Sequence, residues 1–228
     1  MELKIKDIVG LLQVSEKTVY RWIKDKKIPC YRINHQYRFN RTEINEWILS
    51  SKIELSSSLI NLTNPYRQDS LAQLLEKGGI VSQVSGENVQ EVLRNAIQRI
   101  DTPQNISKEE VLSALLSREE LMPTAIGNGI AIPHPRNPII TDLKSASVSI
   151  CCLAKPVDFG SLDAQPVHTL FILITASPKM HLEVLSKISY LCQDAAFLNM
   201  LKDKAPKEDV LIYIRARELD WQKKEPVK

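Results

Sequence analysis

Two kinds of hydrophobic pattern alternate along the chain. One has helical spacing and the other is a short, unbroken apolar run. Ile5, Ile8, Leu11 and Leu12 recur at helical intervals and predict a short first helix. Gln13-Val14 predicts a tight turn. Ser15 then predicts an N-cap, with Glu16 placed for the helix dipole, and a second helix reaches about Lys26. On that helix Val19, Trp22 and Ile23 share one face, while Lys17, Tyr20, Arg21 and Lys24 share the other. Cys30–Ile33 and Tyr37–Phe39 read as two short strands around an Asn34-His35-Gln36 turn. Asn40 predicts the cap of a third helix, with Glu43 at the capping-box position and Ile44, Trp47 and Ile48 facing inward.

Residues 51–68, rich in Ser and Asn and containing Pro65, break the pattern and read as a linker with at most one helical turn. Beyond them the pattern predicts a helix at 69–77, a stop at Gly78-Gly79 and a strand at Ile80–Gln83. Helices follow at about 88–100 and 107–118. Ser147–Leu153 and Thr169–Ala176 are short apolar runs rich in β-branched residues, hence buried strands. Further helices fill about 178–193, 195–203 and 206–217. Strands interleaved with helices give an α/β main domain, a mixed sheet flanked by helices. The expected division is 1–52 for a small N-terminal domain, 53–68 for the linker, 69–220 for the main domain and 221–228 for a tail.

The 228 residues are 43% hydrophobic, which excludes wholesale disorder, and no apolar run reaches the roughly 18 residues of a membrane helix. Mixed charges in the first ten residues argue against a secretory leader. The four cysteines (Cys30, Cys151, Cys152, Cys192) lack C-x-x-C spacing, so neither a disulfide framework nor a zinc site is expected, and the cytoplasm is the expected compartment. The formal net charge of +3 hides a division. Residues 1–55 hold 11 Lys/Arg against 7 Asp/Glu, and the remainder holds 19 against 20. A basic first quarter is compatible with nucleic acid and equally with an ordinary solubility charge.

The second helix sharpens this. A core-facing side backed by a basic, aromatic side suits a recognition helix in the major groove, and also an amphipathic surface helix. Arg32 and Arg38 would flank a phosphate backbone from the following hairpin. Helix-turn-helix, two-stranded wing and helix, carried by VSEKTVYRWIKDKKIPCYRI and QYRFNRTEINEWI, together resemble the excisionase/MerR-type winged-helix family over residues 1–50. The resemblance implies that Lys17, Thr18, Tyr20 and Arg21 approach bases or phosphates and that Arg32 and Arg38 approach the backbone. His35 sits at the wing tip, where exposure is its ordinary state.

Thr124–Pro138, TAIGNGIAIPHPRNP, crowds two of the seven glycines and three of the twelve prolines. Gly127-Asn128-Gly129 permits a tight turn, Ile130–Ile132 is a short buried strand, and Pro133 and Pro135 stiffen the backbone around His134. A stiffened histidine at a strand end suits a nucleophile that carries a covalent intermediate; a structural histidine closing a proline-rich loop is the competing reading. Ser177-Pro178 begins a helix by cap and N1 preference, which puts His181 in its first turn, where phosphate is attracted. Arg118, at a helix end, offers a fork for phosphate oxygens. No third ligand accompanies the two histidines, so no metal and no cofactor are expected.

Residues 69–218 resemble an enzyme IIA domain of the fructose/mannitol type, from the phosphoenolpyruvate-dependent phosphotransferase system, nearest the nitrogen-regulatory branch. SREELMPTAIGNGIAIPH, KPVDFGSLDAQPV and HLEVLSKISYL carry the resemblance in order. It implies that His134 accepts a phosphoryl group from a phosphorylated histidine of a small phosphocarrier protein, with His181 and Arg118 around that phosphate. Phe159 and Asp163 fall in a bordering loop, in packing and capping roles, and His168 is structural. The family usually has a small residue after the active histidine, where this chain has Pro135. The combination leads to a phosphorylation-responsive DNA-binding regulator. The competing readings are a plain phosphocarrier passing phosphate to an enzyme IIB protein, and a DNA-binding regulator without phosphotransfer. A homodimer is compatible with all three.

Overall fold

A computed structural model describes residues 2–12, 14–33, 36–40, 43, 44, 47, 70–104 and 106–223. The chain divides into two units, Met1–Arg67 and Gln68–Lys228.

In the first unit α1 (Ile5–Leu12) and α2 (Glu16–Lys24) follow a two-residue strand, β1 (Glu2–Leu3). Ser15 caps α2, its hydroxyl oxygen accepting from Thr18 N at 3.1 Å. The wing is β2 (Tyr31–Ile33) and β3 (Gln36–Asn40), paired antiparallel, with β1 added on the far edge of β3. Ile8, Val19, Ile28, Phe39 and Ile44 form the core, with Trp22, Ile23 and Trp47 packed against it. One expectation here changes. Gln36 belongs to β3 and not to the turn, and Asn40 ends that strand, paired with Glu2. Ile44 and Trp47 do face the core. The Gln13-Val14 turn at Gln13, His35, Ile48 and the 53–68 linker lie outside the described residues.

The second unit begins with α3 (Leu71–Gly78), which runs into β4 (Ile80–Val84), then α4 (Val89–Arg99) and α5 (Lys108–Glu119). A hairpin follows, β5 (Ala125–Gly127) and β6 (Ile130–Ala131), then the long strands β7 (Ser147–Val157) and β8 (Val167–Ile174). Helices α6 (Pro178–Leu191), α7 (Ala195–Lys202) and α8 (Lys207–Lys223) close the chain. The sheet order is β4-β7-β8-β6-β5. β4 lies parallel to β7 and β6 parallel to β8, while β7–β8 and β5–β6 are antiparallel. This is the expected mixed sheet flanked by helices. β8 along nearly all its length, and β7 from Ser147 to Leu153, are buried because both strands lie inside the sheet. α8 runs beyond the expected helix end at 217 and buries Trp221 edge-to-face on Tyr190.

Candidate functional site

The hairpin β5–β6 turns through Gly127-Asn128-Gly129, all three at positive φ. Gly129 has no room for a side chain, since a Cβ there would stand 2.4 Å from the His168 ring. Asp163 holds the turn, accepting from Asn128 N at 2.8 Å, and from Ser161 Oγ and Gln165 N. Phe159 is buried, and a Cβ on Gly160 would stand 3.2 Å from the Pro123 ring. His168 donates its backbone N–H to Gly129 O, and its ring pairs with Thr169 Oγ1.

Past β6 the backbone is anchored on both sides. Ile132 N donates to Thr124 O at 3.1 Å, and Leu173 N of β8 donates to Pro133 O at 3.1 Å. His134 therefore leaves a fixed stem. Its Nδ1 lies 2.6 Å from Ile132 O. A carbonyl oxygen only accepts, so Nδ1 carries the proton and Nε2 carries the lone pair.

His181 comes from the first turn of α6, which Ser177 caps by accepting from Met180 N, with Pro178 at the first helical position. Its ring stands 4.8 Å from that of His134, centroid to centroid, and its Nδ1 pairs with Thr175 Oγ1 at 3.1 Å. Arg118, in the last turn of α5, is buried and donates Nη1 to Met122 O at 2.7 Å. Burial first, then His181 and Arg118, hold His134 well below the usual imidazole range, although the Ile132 carbonyl pulls the other way. Burial and then Arg118 push His181 down to about 4. Both rings are thus neutral at physiological pH.

The three residues expected to work together are gathered in one place, Arg118 close enough for both rings to feel its charge. Pro135 is buried beside them. Leu121 and Met122, on the loop whose Met122 carbonyl accepts from Arg118, and Leu162, next to the Asp163 that holds the β5–β6 turn, expose large apolar surface. Sequence reasoning passed over Glu119, Thr124, Ile132 and Thr175, which hold this constellation. Among the described residues no group of three or more His, Cys, Asp or Glu is placed to hold a metal.

In the first unit Lys17, Tyr20 and Arg21 are exposed on α2. Thr18 is half-buried, its hydroxyl tied to Ser15 Oγ at 2.9 Å, so it serves the cap. Tyr20 meets Tyr37 of the wing edge-to-face at 6.2 Å, and Arg32 lies over the Tyr37 ring at 5.6 Å. Arg38 donates to Tyr37 O and Gln36 Oε1.

The family model described as phosphoenolpyruvate-dependent sugar phosphotransferase system, EIIA 2, matches residues 73–216, and one described as helix-turn-helix domain matches residues 2–52. The chain is 34% identical to a nitrogen regulatory protein of Pseudomonas aeruginosa over 63% of its own length and 93% of that protein. It is 31% identical to a mannitol-specific phosphotransferase enzyme IIA component of Geobacillus stearothermophilus, over 60% and 92%. The crystal structure of nitrogen regulatory protein IIA-Ntr from Neisseria meningitidis matches with a TM-score of 0.53 at 26% identity, covering 59% of this chain and 91% of that one. From its matched sequence and its fold, the chain belongs to the phosphotransferase-system EIIA 2 family, with a helix-turn-helix domain ahead of it.

Proposed function

We propose that His134 Nε2 accepts a phosphoryl group from the phosphohistidine of a small phosphocarrier protein, and that this charge regulates a DNA-binding unit on the same chain. The observation that carries the reading is the pinned, buried His134. Its proton is committed to Ile132 O and its other nitrogen is free to attack beside a second neutral imidazole and a buried guanidinium.

The step balances without a proton moving through the site. The Nε2 lone pair forms the new N–P bond while the donor's N–P bond breaks. The donor ring, protonated on its other nitrogen, leaves as neutral imidazole. His134 now carries both Nδ1–H and the phosphoryl group, and the Ile132 carbonyl stabilises the positive charge that develops on its ring. Phosphoryl transfer asks mainly for positioning and charge stabilisation. Arg118 supplies the guanidinium. His181, with the Thr175 hydroxyl donating to its Nδ1, presents Nε2–H, and the N-terminus of α6 adds its dipole. Pro135 offers no N–H, so side chains carry the donor role here. The apolar surface of Leu121, Met122 and Leu162 is suited to seating a protein donor.

In the first unit, α2 with Lys17, Tyr20 and Arg21 enters the major groove and the wing brings Arg32 to the phosphates. The phosphoryl group adds roughly −1.5 to −2 charges, which couples to this basic reader. Fluorescence anisotropy of the whole chain on DNA fragments from its own control region, with and without the phosphocarrier and its donor, tests the coupling. The affinity is expected to change on phosphorylation in the wild type and to stay fixed in His134→Ala. Equal affinities for the wild type in both states would refute it.

A further inference from the structure

The mechanism leaves one carboxylate at the site unused. Glu119 is the last residue of α5 and follows Arg118 directly. Its Oε1 accepts from Thr124 N at 2.9 Å and its Oε2 from Thr124 Oγ1 at 2.6 Å. Thr124 is buried, and its carbonyl accepts from Ile132 N at 3.1 Å. Ile132 in turn accepts from His134 Nδ1. Four residues from three segments thus form a continuous series of hydrogen bonds that ends on the attacking ring.

Stability alone does not explain an acid at this place. A carboxylate in the last turn of a helix faces the negative end of the helix dipole, where a base is preferred. Burial also disfavours its charge and raises its pKa, against which the two Thr124 bonds and Arg118 act. A local rule broken in this way, beside a reactive group, points to positioning. The effect is geometric: the Thr124–Ile132 bond extends the β5–β6 pairing, where Ala125 stands opposite Ala131, up to the residue that holds the histidine.

We propose that Glu119 and Thr124 are positioning residues for phosphoryl transfer. Their paired hydrogen bonds fix the 124–132 crossing, which keeps the Ile132 carbonyl on Nδ1 of His134 and leaves Nε2 to attack. This rests on the phosphoacceptor reading, so the test has one readout that needs no phosphate. Nitrogen-15 NMR of the His134 ring in the unphosphorylated protein reports which nitrogen holds the proton, and a stopped assay with the phosphorylated carrier reports the transfer rate. Wild type and Thr124→Ser should show the Nδ1–H form alone and transfer at similar rates. Thr124→Val and Glu119→Gln should show a mixture of ring forms and transfer about tenfold more slowly, the loss expected for one hydrogen bond. If Glu119→Gln does not fold, the Thr124→Val and Thr124→Ser pair decides. Wild-type ring signals in Thr124→Val, whatever its rate, would overturn the proposal. A wild type that takes up no phosphate would overturn the phosphoacceptor reading, and the ring signals would still decide the positioning role.

Discussion

His134 holds its proton on Nδ1 because the group it faces, the Ile132 carbonyl, can only accept. Its neighbour His181 is neutral for a different reason, burial reinforced by Arg118. Both rings have folded-state pKa values below the 6.5 of an exposed imidazole, so the unfolded chain binds protons that the folded one refuses. Their contribution to stability is complete above pH 6.5 and is lost as pH falls toward about 4, where His181 titrates. For His181 alone the loss is on the order of 3 kcal/mol. Urea unfolding midpoints measured between pH 7.5 and 4 should fall steeply in the wild type and less steeply in His181→Gln. Parallel curves for the two proteins would show that this ring is not held neutral by the fold.

At the scale of elements, the first and last helices of the second unit are joined by one buried carboxylate. Glu218 of α8 accepts from Leu71 N at 2.6 Å and Ser70 Oγ at 2.5 Å at the start of α3, and from Lys187 Nζ of α6 at 3.4 Å. It caps a helix and neutralises a buried lysine at once. Glu218→Ala should therefore cost about 2–4 kcal/mol in chemical denaturation, well above an ordinary surface change. A loss near 0.5 kcal/mol or less would contradict that role. Nothing in the sequence linked positions 70 and 218, whereas most elements were legible in it. Helices with a capping residue, such as α2 and α6, begin where Ser15 and Ser177 placed them. The misses share a cause. β1 and β5 have two and three residues, too few for any period to register, and exist because a neighbouring strand supplies their hydrogen bonds. β7 extends to Val157 through Lys155-Pro156, which local propensity reads as a stop. At the candidate site the reactive types His134, His181 and Arg118 could be read from motifs. Their supports, Glu119, Thr124 and Thr175, act through hydrogen bonds across short loops, Thr124 to Glu119 and Thr175 to His181, which neither an apolar period nor a cap preference marks.

For the molecule as a whole, the net charge of +3 misleads, because the basic excess lies in the first quarter of the chain. If that quarter reads DNA, its two kinds of basic residue should behave differently. Arg32, exposed on the wing, is expected to meet phosphate. Arg32→Ala should weaken binding to all sequences alike and lower the salt slope by about 1. Arg21, exposed on α2, is expected to meet a base edge, and Arg21→Ala should cost about 1–3 kcal/mol and relax discrimination at one position. Anisotropy titrations over a range of salt separate the two, and identical behaviour of the two variants would refute the assignment. The proposed regulation requires that the second unit take up phosphate. The most direct measurement is donor-dependent phosphate incorporation, using the phosphocarrier system on the whole chain, followed by mapping of the modified residue. The account predicts one acid-labile phosphoryl group, on His134, that is absent in His134→Ala. An unlabelled wild type, or a label that survives that substitution, would contradict it.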